Sequence, residues 1–363
     1  MDHSGRLRRL QAALPENKLD LLLVTHLANV RYLCGFTGSA GALLVRERGA
    51  TFFTDGRYIA QARAEISGAQ IVIARKAPFL TAAESLAGSR TGKVGKQVFG
   101  FEGETMPVAM RDRMAALLKS KVKLRCAPPL VERARMVKDA EEIASIRRAV
   151  ELGARLFPIL RKKIRPGASE VEVAGALEYA ARCGGAEGMS FPTIIASGKR
   201  SAVVHGRASG APIPRRGFVV CDFGVILAGY CSDRTRTVHV GRPSRDARKM
   251  YEAVLEAQQA AIACIHPGVT AGEVDGAARR VLRKWKLARY FSHSTGHGLG
   301  LEIHEAPRLA AAQKQRLEPG MVITVEPGAY IPGKWGVRIE DVVVVTPNGC
   351  EVLAPRDKEL IVI

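Results

Sequence analysis

The chain has 363 residues, 47% of them hydrophobic, and a formal net charge of +20. This length suffices for two domains with sizeable cores. Seven cysteines, an odd number without a CxxC pair, argue against a disulfide framework and favour a reducing cytoplasm. The first residues lack the apolar core of a signal peptide and no run of about 18 apolar residues occurs, so we expect a cytoplasmic protein without a membrane span.

The first part of the chain predicts short strands separated by helices, as in mixed α/β proteins. The predicted strands are 20–25, 42–47, 51–54, 70–74 and 96–101, and the predicted helices are Gly56–Glu65 and Glu104–Leu118. A Pro-Pro pair and the basic stretch ERARMVK follow, within Pro128–Lys138. We therefore place a domain boundary there, with a smaller domain at 1–130 and a larger one at 131–363.

An internal repeat organises the larger domain. RPGASEVEVAGA (165–176) matches HPGVTAGEVDGA (266–277) at a constant offset of 101. Each copy contains Ser or Thr followed three residues later by Glu, a capping box that begins a helix. The capping pairs are Ser169 with Glu172, and Thr270 with Glu273. Helix-like stretches at 139–163 and 244–264 precede the two copies, so we predict one ancestral half used twice.

Each half also contains a predicted hairpin with two acidic residues. The first acidic hairpin (217–240) contains Asp222 and Asp233, and the second acidic hairpin (322–345) contains Glu326 and Glu340. A turn at Leu227-Ala228 and a mirror point at Gly333 would place the two acids of each hairpin directly opposite each other. Side chains so placed have Cβ atoms about 5 Å apart. Carboxylates at that range in hydrophobic strands repel and resist desolvation, which favours bound cations.

A glycine-rich segment, FSHSTGHGLGLEIHEAP (291–307), contains His293, His297 and His304. Its glycines allow positive φ and close backbone approach, which suits a loop that brings imidazoles to a metal centre. Spacings of four and seven also fit one face of a helix, and this alternative stays open although three glycines in five residues disfavour it. His205 follows an apolar stretch, whereas His239 and His266 lie outside such clusters and are interpreted as ordinary histidines.

Five residues together form a predicted site for two divalent metal ions: Asp222, Asp233, His297, Glu326 and Glu340. Four carboxylates and one imidazole do not form the Cys/His site of structural zinc, and they favour Mn²⁺, Fe²⁺ or Co²⁺. Bridging carboxylates can hold two ions about 3.5–4 Å apart, the spacing of hydrolytic two-metal sites. The alternative is that these are ordinary acids at strand ends, which the cost of paired acids in apolar strands disfavours.

Four sequence blocks resemble the signatures of the Xaa-Pro aminopeptidase and prolidase group of metallopeptidases. The blocks are CDFGVILAGYCSDRTRT, HSTGHGLGLEIHE, TVEPG and RIED. This group has the duplicated pita-bread fold, also found in methionine aminopeptidase and creatinase. NVRYLCGFTGSAGALLV (29–45) and TDGRYIAQA (54–62) resemble the smaller creatinase-type domain that precedes it. The resemblance covers nearly the whole chain and implies a mixed α/β (α+β) fold.

The same resemblance implies a role for each candidate site residue. The five acidic and histidine ligands would bind the metals. In the mechanism that we predict for such a site, Glu326 would lie beside the water and also act as the proton shuttle. Three further histidines, His205, His293 and His304, would contact the substrate and the tetrahedral intermediate. Arg338 would support the ligands without binding metal itself.

We predict a metallo-aminopeptidase, an Xaa-Pro aminopeptidase that cleaves between an N-terminal residue and a following proline. Two alternatives stay open: an Xaa-Pro dipeptidase (prolidase), or a non-catalytic pita-bread binding module that uses its basic surface. Mn²⁺ is the expected ion, with Co²⁺, Fe²⁺ or Zn²⁺ as alternatives. The expected partners are peptides with proline at the second position and a second copy of the chain in a homodimer.

The positive charge is interpreted as a solvated basic surface. Its clusters are scattered and seldom interleaved with aromatic residues: Arg6–Arg9, Lys119–Arg125, Arg161–Arg165 and Arg279–Lys286. The chain lacks an RNA-recognition, helix-turn-helix or zinc-finger signature, and GFTGSAG (35–41) lacks the Lys-Ser/Thr of a P-loop. We therefore expect no specific nucleic acid and no membrane as a partner.

Overall fold

The structure is a computed structural model that describes residues 1–87, 97–118, 122–354 and 358–363. The chain divides into two compact units, Met1–Arg135 and Met136–Ile363. Position 96 of one predicted strand and positions 119–121 of one basic cluster lie outside the described residues. All predicted site residues belong to the second unit.

The first unit contains a six-stranded sheet. Its strands are β1 (Leu21–Val24), β2 (Ala42–Arg46), β3 (Ala50–Asp55), β4 (Gln70–Ala74), β5 (Gln97–Glu102) and β6 (Val122–Ala127). The order is β4-β3-β2-β1-β5-β6, with the two pairs that β2 makes antiparallel and the other three parallel. The five predicted strands are confirmed to within one residue at each described end, and β6 was not predicted.

Between residues 1 and 136, the described part of the chain contains the α-helices α1 (His3–Glu16), α2 (Leu27–Cys34), α3 (Ile59–Glu65), α4 (Pro78–Ala87), α5 (Val108–Leu118) and α6 (Leu130–Met136). The predicted helix at Gly56–Glu65 begins as a 3₁₀ turn, Gly56–Tyr58, before α3. Apolar residues of α4 and α5, such as Phe79 and Met114, pack with Leu23 and Phe99 of the sheet to form the core.

In its described residues, the second unit contains α-helices in two pairs: α7 (Ala140–Lys163) with α8 (Glu170–Cys183), and α9 (Arg245–Ala263) with α10 (Ala271–Lys284). Both predicted capping boxes are present at the starts of α8 and α10, which are each 14 residues long. The preceding glycines have nearly equal positive φ, 87° at Gly167 and 88° at Gly268. The predicted duplication is therefore visible in the helices and in the turns that lead to them.

The strands of the second unit follow the helices in each half. They are β7 (Gly188–Met189), β8 (Ile194–Ser197), β9 (Gly217–Phe223), β10 (Val225–Leu227), β11 (Tyr230–Cys231), β12 (Arg234–Val240), β13 (Gly296–Gly298), β14 (Glu305–Leu309), β15 (Val322–Val325), β16 (Gly328–Ile331), β17 (Trp335–Arg338), β18 (Asp341–Thr346) and β19 (Gly349–Val352). They form sheets in the orders β11-β10-β7, β12-β9-β8, β14-β13-β15-β18-β19 and β16-β17.

Each helix pair packs against one face of a strand that precedes a candidate site residue or contains one. Val219 and Cys221 of β9 pack with α7 and α8, and Ile323 and Val325 of β15 pack with α9 and α10. Successive side chains of a strand point to opposite faces. Asp222 is out of phase with Val219 and Cys221 and therefore lies on the face of β9 away from α7 and α8.

All seven cysteines lie within the described residues, and each is a free thiol in this structure. Among the helices in the described ranges, none is long and apolar enough to cross a membrane.

Candidate metal centre and substrate cavity

One cavity of about 580 Å³ in the second unit is lined by every predicted site residue. The predicted residues are His205, Asp222, Asp233, His293, His297, His304, Glu326, Arg338 and Glu340. They come from both halves of the duplicated unit, and the longest separation in sequence, from His205 to Glu340, is 135 positions.

The turn of the first acidic hairpin differs from the prediction. Leu227 pairs with Tyr230, so the turn residues are Ala228 and Gly229 and not Leu227 and Ala228. Both have positive φ, 51° at Ala228 and 80° at Gly229. A two-residue hairpin turn of type I′ requires this combination because it matches the twist of the flanking strands. The predicted turn was wrong by one residue, since a non-glycine residue with positive φ was not anticipated.

The shifted turn changes the partner of Asp222. Asp222 pairs with Thr235, so the prediction that it lies directly across from Asp233 was wrong. The register differs by two residues, and side chains repeat with a period of two, so the face is preserved. Asp233 lies in a short break between β11 and β12 and still approaches Glu340, as Thr235 also does.

The register of the second acidic hairpin is confirmed. Val325 pairs with Asp341, and Gly328 pairs with Arg338. Both pairings share the mirror point at Gly333, which has a φ of 73° and allows a longer loop to close. Glu326 and Glu340 lie between these paired positions and are opposite each other, as predicted.

The histidine-rich segment is extended where it meets the cavity, so the helical alternative is wrong. His297 lies at the centre of β13, between two glycines. A Cβ on Gly296 would be 1.9 Å from the carbonyl oxygen of Thr324, and one on Gly298 would be 2.2 Å from that of Ala306. Only glycine permits the neighbouring strands to approach so closely.

The side chains around His297 form a compact group of possible ligands. One ligand atom each from Asp233, His297 and Glu340 lie within 4.8 Å of one another. His297 Nε2 is 3.6 Å from Asp233 Oδ2 and 3.5 Å from Glu326 Oε1. Nδ1 of His297 donates to the carbonyl oxygen of Gly298 at 3.0 Å, which leaves the lone pair of Nε2 directed at the carboxylates. Burial lowers the pKa of His297 to about 4, so the imidazole is neutral at neutral pH and able to bind a cation.

The carboxylates have the properties of a cation site. Asp222 Oδ1, Asp233 Oδ1 and Glu340 Oε1 are buried, and no hydrogen-bond partner reaches them from the described residues. Burial, and after it the neighbouring carboxylates, raises the pKa of Asp233 and Glu326 well above the usual range and that of Glu340 to about 8. Buried negative charges need compensation, and an oxygen-rich set with one imidazole suits a divalent metal ion.

Arg338 provides part of that compensation. Its side chain is buried, and one terminal nitrogen donates to Asp222 Oδ2. Nε donates to Thr235 Oγ1 at 3.1 Å, and Thr235 Oγ1 in turn donates to Glu340 Oε2 at 2.7 Å. The guanidinium of the second hairpin therefore holds a carboxylate of the first, and a hydroxyl of the first hairpin holds a carboxylate of the second.

His293 is fixed by a chain of hydrogen bonds that starts at Arg338. Arg338 donates to the hydroxyl of Tyr330 at 2.7 Å, and this hydroxyl donates to His293 Nε2 at 2.9 Å. His293 Nδ1 donates to the carbonyl oxygen of Ser294 at 2.8 Å. Burial raises the pKa of Tyr330 to about 12, so the hydroxyl remains protonated. Burial, and after it the charge of Arg338, lowers the pKa of His293 to about 3.

The remaining predicted histidines lie at the open side of the cavity. The rings of His304 and His297 are 4.5 Å apart in an edge-to-face arrangement, and His205 is exposed on a separate segment. His239 and His266 hydrogen-bond to local carbonyl oxygens, of Gly241 and Pro267, which agrees with their interpretation as ordinary histidines.

Helix α10 holds the segment that leads to His297. Asp275 accepts hydrogen bonds from the amide of Thr295 at 3.2 Å and from its hydroxyl at 2.8 Å. Arg279 donates to Asp275 at 2.7 Å and to the carbonyl oxygen of His293 at 2.6 Å. The carbonyl oxygen of Thr295 accepts from the amide of Glu326 at 2.8 Å. One buried carboxylate of the helix thus fixes the backbone beside two of the predicted site residues.

Several cavity or supporting residues were missed by the sequence analysis: Thr235, Tyr330, Asp275, Arg207 and Arg308. Thr235 lies two positions beyond Asp233, and Tyr330 four positions beyond Glu326, so the strand period was a signal that could have identified both. Arg207 and Arg308 line the cavity, but two isolated arginines in a chain with 55 Lys and Arg have no distinguishing pattern.

Sequence comparison matches each of the two units to a known protein family. The sequence model of Metallopeptidase family M24 matches residues 144–347, and that of the Creatinase/Prolidase N-terminal domain matches residues 6–137.

Three relatives are similar over nearly their whole length. An Xaa-Pro dipeptidase structure from Bacillus anthracis is 40% identical, with a TM-score of 0.93 and coverage of 100% of both chains. An Xaa-Pro dipeptidase of Pyrococcus furiosus is 37% identical over 98% of this chain and 99% of its own. The structure of an X-Pro aminopeptidase from Thermotoga maritima is 35% identical, with a TM-score of 0.88 and coverage of 99% of this chain and 100% of its own.

Proposed function

The chain belongs to metallopeptidase family M24, and we propose that it is an Xaa-Pro dipeptidase, which hydrolyses the bond before proline in a dipeptide. The observation that supports this most directly is full-length similarity to two proteins of that name, at 40% and 37% identity. The aminopeptidase was our first prediction, and the comparisons favour the dipeptidase alternative over it.

The coarser predictions are confirmed. The chain is a metallopeptidase of the predicted group, with a creatinase-type domain before a pita-bread catalytic domain in a mixed α/β fold. Members of this family use divalent metal ions, and the ligand group around His297 fits that requirement. Mn²⁺ as the native ion, a boundary between 1–130 and 131–363, and a homodimer remain proposals.

The charges around the cavity support a dipeptide substrate. A dipeptide has a free carboxylate only one residue beyond the bond that is cleaved, and a longer peptide has a neutral amide there. Arg207 and Arg308 both line the cavity, and Arg308 lies directly across from His297 in the β13/β14 pair. A guanidinium so close to the proposed metal ligands would bind the carboxylate of a dipeptide by charge-assisted hydrogen bonds.

We assign the metal to the five ligands predicted from the sequence: Asp222, Asp233, His297, Glu326 and Glu340. When divalent ions are bound in such a site, they lower the pKa of a water molecule towards neutrality and polarise the carbonyl group of the substrate. Arg338, Thr235 and Tyr330 would hold these ligands and His293 in place, because each makes a hydrogen bond to a ligand or to the histidine.

The chain's own side chains would then act at the peptide bond. The carboxylate of Glu326 would accept a proton from the attacking water and return it to the nitrogen of the leaving proline. His304 would donate a hydrogen bond to the carbonyl oxygen as negative charge develops on it. His205 would bind the substrate at the exposed side of the cavity. His293 is held by Tyr330, so its role would be to shape the proline-binding side.

A panel of peptides tests the proposal. The protein loaded with Mn²⁺ is given Xaa-Pro dipeptides, Xaa-Pro tripeptides and Xaa-Ala dipeptides as a control for proline, before and after removal of the metal with a chelator. We expect hydrolysis of the Xaa-Pro dipeptides that is lost without metal and restored by Mn²⁺.

Each other outcome has a distinct meaning. Faster hydrolysis of the tripeptides would favour an aminopeptidase. This is the second candidate function, because the chain is also similar to the X-Pro aminopeptidase from Thermotoga maritima. Hydrolysis of neither class by protein with full metal content would reject the peptidase and favour a binding module. Light scattering of the same sample would test the homodimer.

A further inference from the structure

The wall of the cavity that contains His205 is formed by an irregular segment. This segment, residues 198–208, connects the end of β8 at Ser197 to Ser209, and it begins with a short 3₁₀ turn. Three of its residues line the cavity: Val204, His205 and Arg207. It is called the His205 segment below, and its shape decides where an imidazole and a guanidinium meet the substrate.

Both ends of the His205 segment are held by one carboxylate. Glu170, at the start of α8, has 0% exposure. Its Oε1 accepts from the amide of Ser197 at 2.8 Å and from the hydroxyl at 2.9 Å. Its Oε2 accepts from the amide of Ser209 at 3.1 Å and from the hydroxyl at 2.7 Å. The two oxygens therefore close a loop of eleven residues from inside the protein.

An arginine extends this contact across the segment. Arg200 Nε lies 3.0 Å from Glu170 Oε2 and 3.2 Å from Oε1, and a terminal nitrogen of Arg200 donates to the carbonyl oxygen of Arg207 at 2.8 Å. From the other side, Arg338 donates to the carbonyl oxygen of Val204 at 3.1 Å. The backbone on both sides of His205 is thus fixed, while its side chain remains exposed to the cavity.

The internal repeat shows that Glu170 is not needed to begin a helix. Ser169 and Glu172 already form the capping box of α8. At the equivalent position of the second copy, α10 has Ala271, although its capping box is the same. The groups that hydrogen-bond to the Glu170 carboxylate from Ser197, Arg200 and Ser209 all donate to it, which suits a carboxylate since it accepts at both oxygens. A glutamine side chain at this position would direct its NH₂ group, which is a donor, at the backbone N–H of either Ser197 or Ser209, which is also a donor.

We propose that Glu170 is a positioning residue, which holds the His205 segment in the shape that presents His205 and Arg207 to the peptide. The inference rests on the proposed function, because it requires those two side chains to bind the substrate. Glu170 does not line the cavity and contacts none of the proposed metal ligands among the described residues. Its effect is therefore expected on substrate binding and not on metal content.

The test compares Glu170→Gln with Glu178→Gln, the same change at an exposed position of the same helix. For Glu170→Gln we expect KM for an Xaa-Pro dipeptide to rise about tenfold or more, within the ~10²-fold that small misplacements can cost. Metal content should equal that of the unmodified protein. Hydrogen exchange should become faster in the His205 segment, and Glu178→Gln should change none of these quantities.

Two further measurements keep the test decisive. If Glu170→Gln does not fold, Ser209→Ala removes one contact of the carboxylate and should give a smaller rise in KM with the same local increase in exchange. If the unmodified protein cleaves no Xaa-Pro peptide, the proposed function fails, and exchange in the His205 segment still tests the holding role of Glu170. Unchanged KM with unchanged exchange, or activity lost together with the metal, would overturn the proposal.

Discussion

Each acidic hairpin carries two carboxylates, but the strands of the two hairpins pair in different registers. In the second acidic hairpin, the loop around Gly333 places Glu326 opposite Glu340. In the first acidic hairpin, the turn at Ala228 and Gly229 places Thr235, and not Asp233, opposite Asp222. Equivalent halves of one duplicated unit thus present their carboxylates in two different ways.

The difference shows that a hydrophobic strand pattern determines the face of a side chain more firmly than its partner. A shift by two residues leaves every side chain on its face, so burial does not oppose it. The shift has a chemical result, because Asp222 Oδ2 accepts a hydrogen bond from Arg338, whereas Asp233 Oδ2 lies 3.6 Å from His297 Nε2. Oδ1 of both aspartates is buried and has no hydrogen-bond partner within the described residues. The two aspartates of the first hairpin are therefore not equivalent, and the two hairpins are joined through Thr235 and Arg338.

The largest expected effect concerns this inequality. Asp233→Asn keeps the size of the side chain and removes a buried carboxylate that a bound cation would compensate. We expect loss of at least one metal ion, a decrease of kcat beyond about 10³-fold, which exceeds the cost of one oxyanion donor, and a folded protein. Metal analysis, circular dichroism and kinetics measure these results, and Asp246→Asn, at an exposed position, is the control.

Asp222→Asn sharpens the same comparison. It should also lower the melting temperature of the metal-free protein, since it removes the partner of the buried Arg338 guanidinium. Equal thermal stability of the two aspartate variants would contradict the difference between the environments of Asp222 and Asp233.

A histidine outside both hairpins should affect the reaction without affecting the metal. His304→Ala removes a donor that would stabilise the developing oxyanion, and loss of one such donor typically decreases kcat about 10²–10³-fold. Metal content should stay near that of the unmodified protein, whereas His297→Ala should lose metal. A fall in metal content as large as that of His297→Ala would show that the two roles were assigned wrongly.

The junction between the hairpins is tested by Thr235→Val. This change removes the hydroxyl that donates to Glu340 and leaves the volume nearly constant. Loss of a group that orients a ligand typically lowers metal affinity about 10–100-fold, which a chelator competition would measure. Thr193→Val is the matched control, because the buried hydroxyl of Thr193 has no hydrogen-bond partner in the described ranges. Equal affinities of the two variants would contradict a link between the hairpins.

A smaller effect is expected from the second acidic hairpin alone. Tyr330→Phe removes the hydroxyl between Arg338 and His293, and a lost buried hydrogen bond of this kind costs about 1–3 kcal/mol. We expect kcat/KM to decrease roughly tenfold, the equivalent of about 1.4 kcal/mol, without loss of metal. Tyr290→Phe changes a tyrosine away from this chain of hydrogen bonds and serves as the control. An unchanged kcat/KM in Tyr330→Phe would contradict a role in the reaction for His293 as held by Tyr330.

The smallest effect should follow from the basic surface, which lies outside this comparison. Binding to mixed RNA or DNA should be weak and should disappear at moderate salt, because it would depend on counterion release. Peptide hydrolysis should change less than about twofold at the same salt, since buried charges are little screened. Filter binding and a peptide assay in one salt series would measure both. Tight, salt-tolerant nucleic-acid binding without hydrolysis would favour the binding-module alternative.

The sequence predicted those features that depend on local pattern. Both capping boxes, the helices that precede them and five strands of the first unit follow from residue types and periodicity. All nine candidate site residues line one cavity, although their individual roles remain to be tested. The turn at Ala228 was missed because positive φ is uncommon for alanine, and only pairing with the opposite strand reveals it.

Contacts between distant segments could not be predicted. Glu170 lies 27 positions before Ser197 and 39 before Ser209, and its sequence neighbours form an ordinary capping box. Thr235 and Tyr330 are separated from Asp233 and Glu326 by even numbers of positions, as residues on one face of a strand are, but threonine and tyrosine are common in any strand. Their importance depends on which hairpin they meet, and that is a property of the tertiary packing.

The positions of the proposed ligands in the sequence also bear on whether the chain folds before or after it binds metal. Asp233, His297 and Glu340 are separated by 64 and 43 positions and belong to different strands or breaks between strands. Closing such distances in an unfolded chain is entropically costly, so an ion has no preformed cluster to bind before the two halves have folded. In contrast to a zinc finger, whose folding depends on its metal, this polypeptide would then fold before it binds the proposed ions.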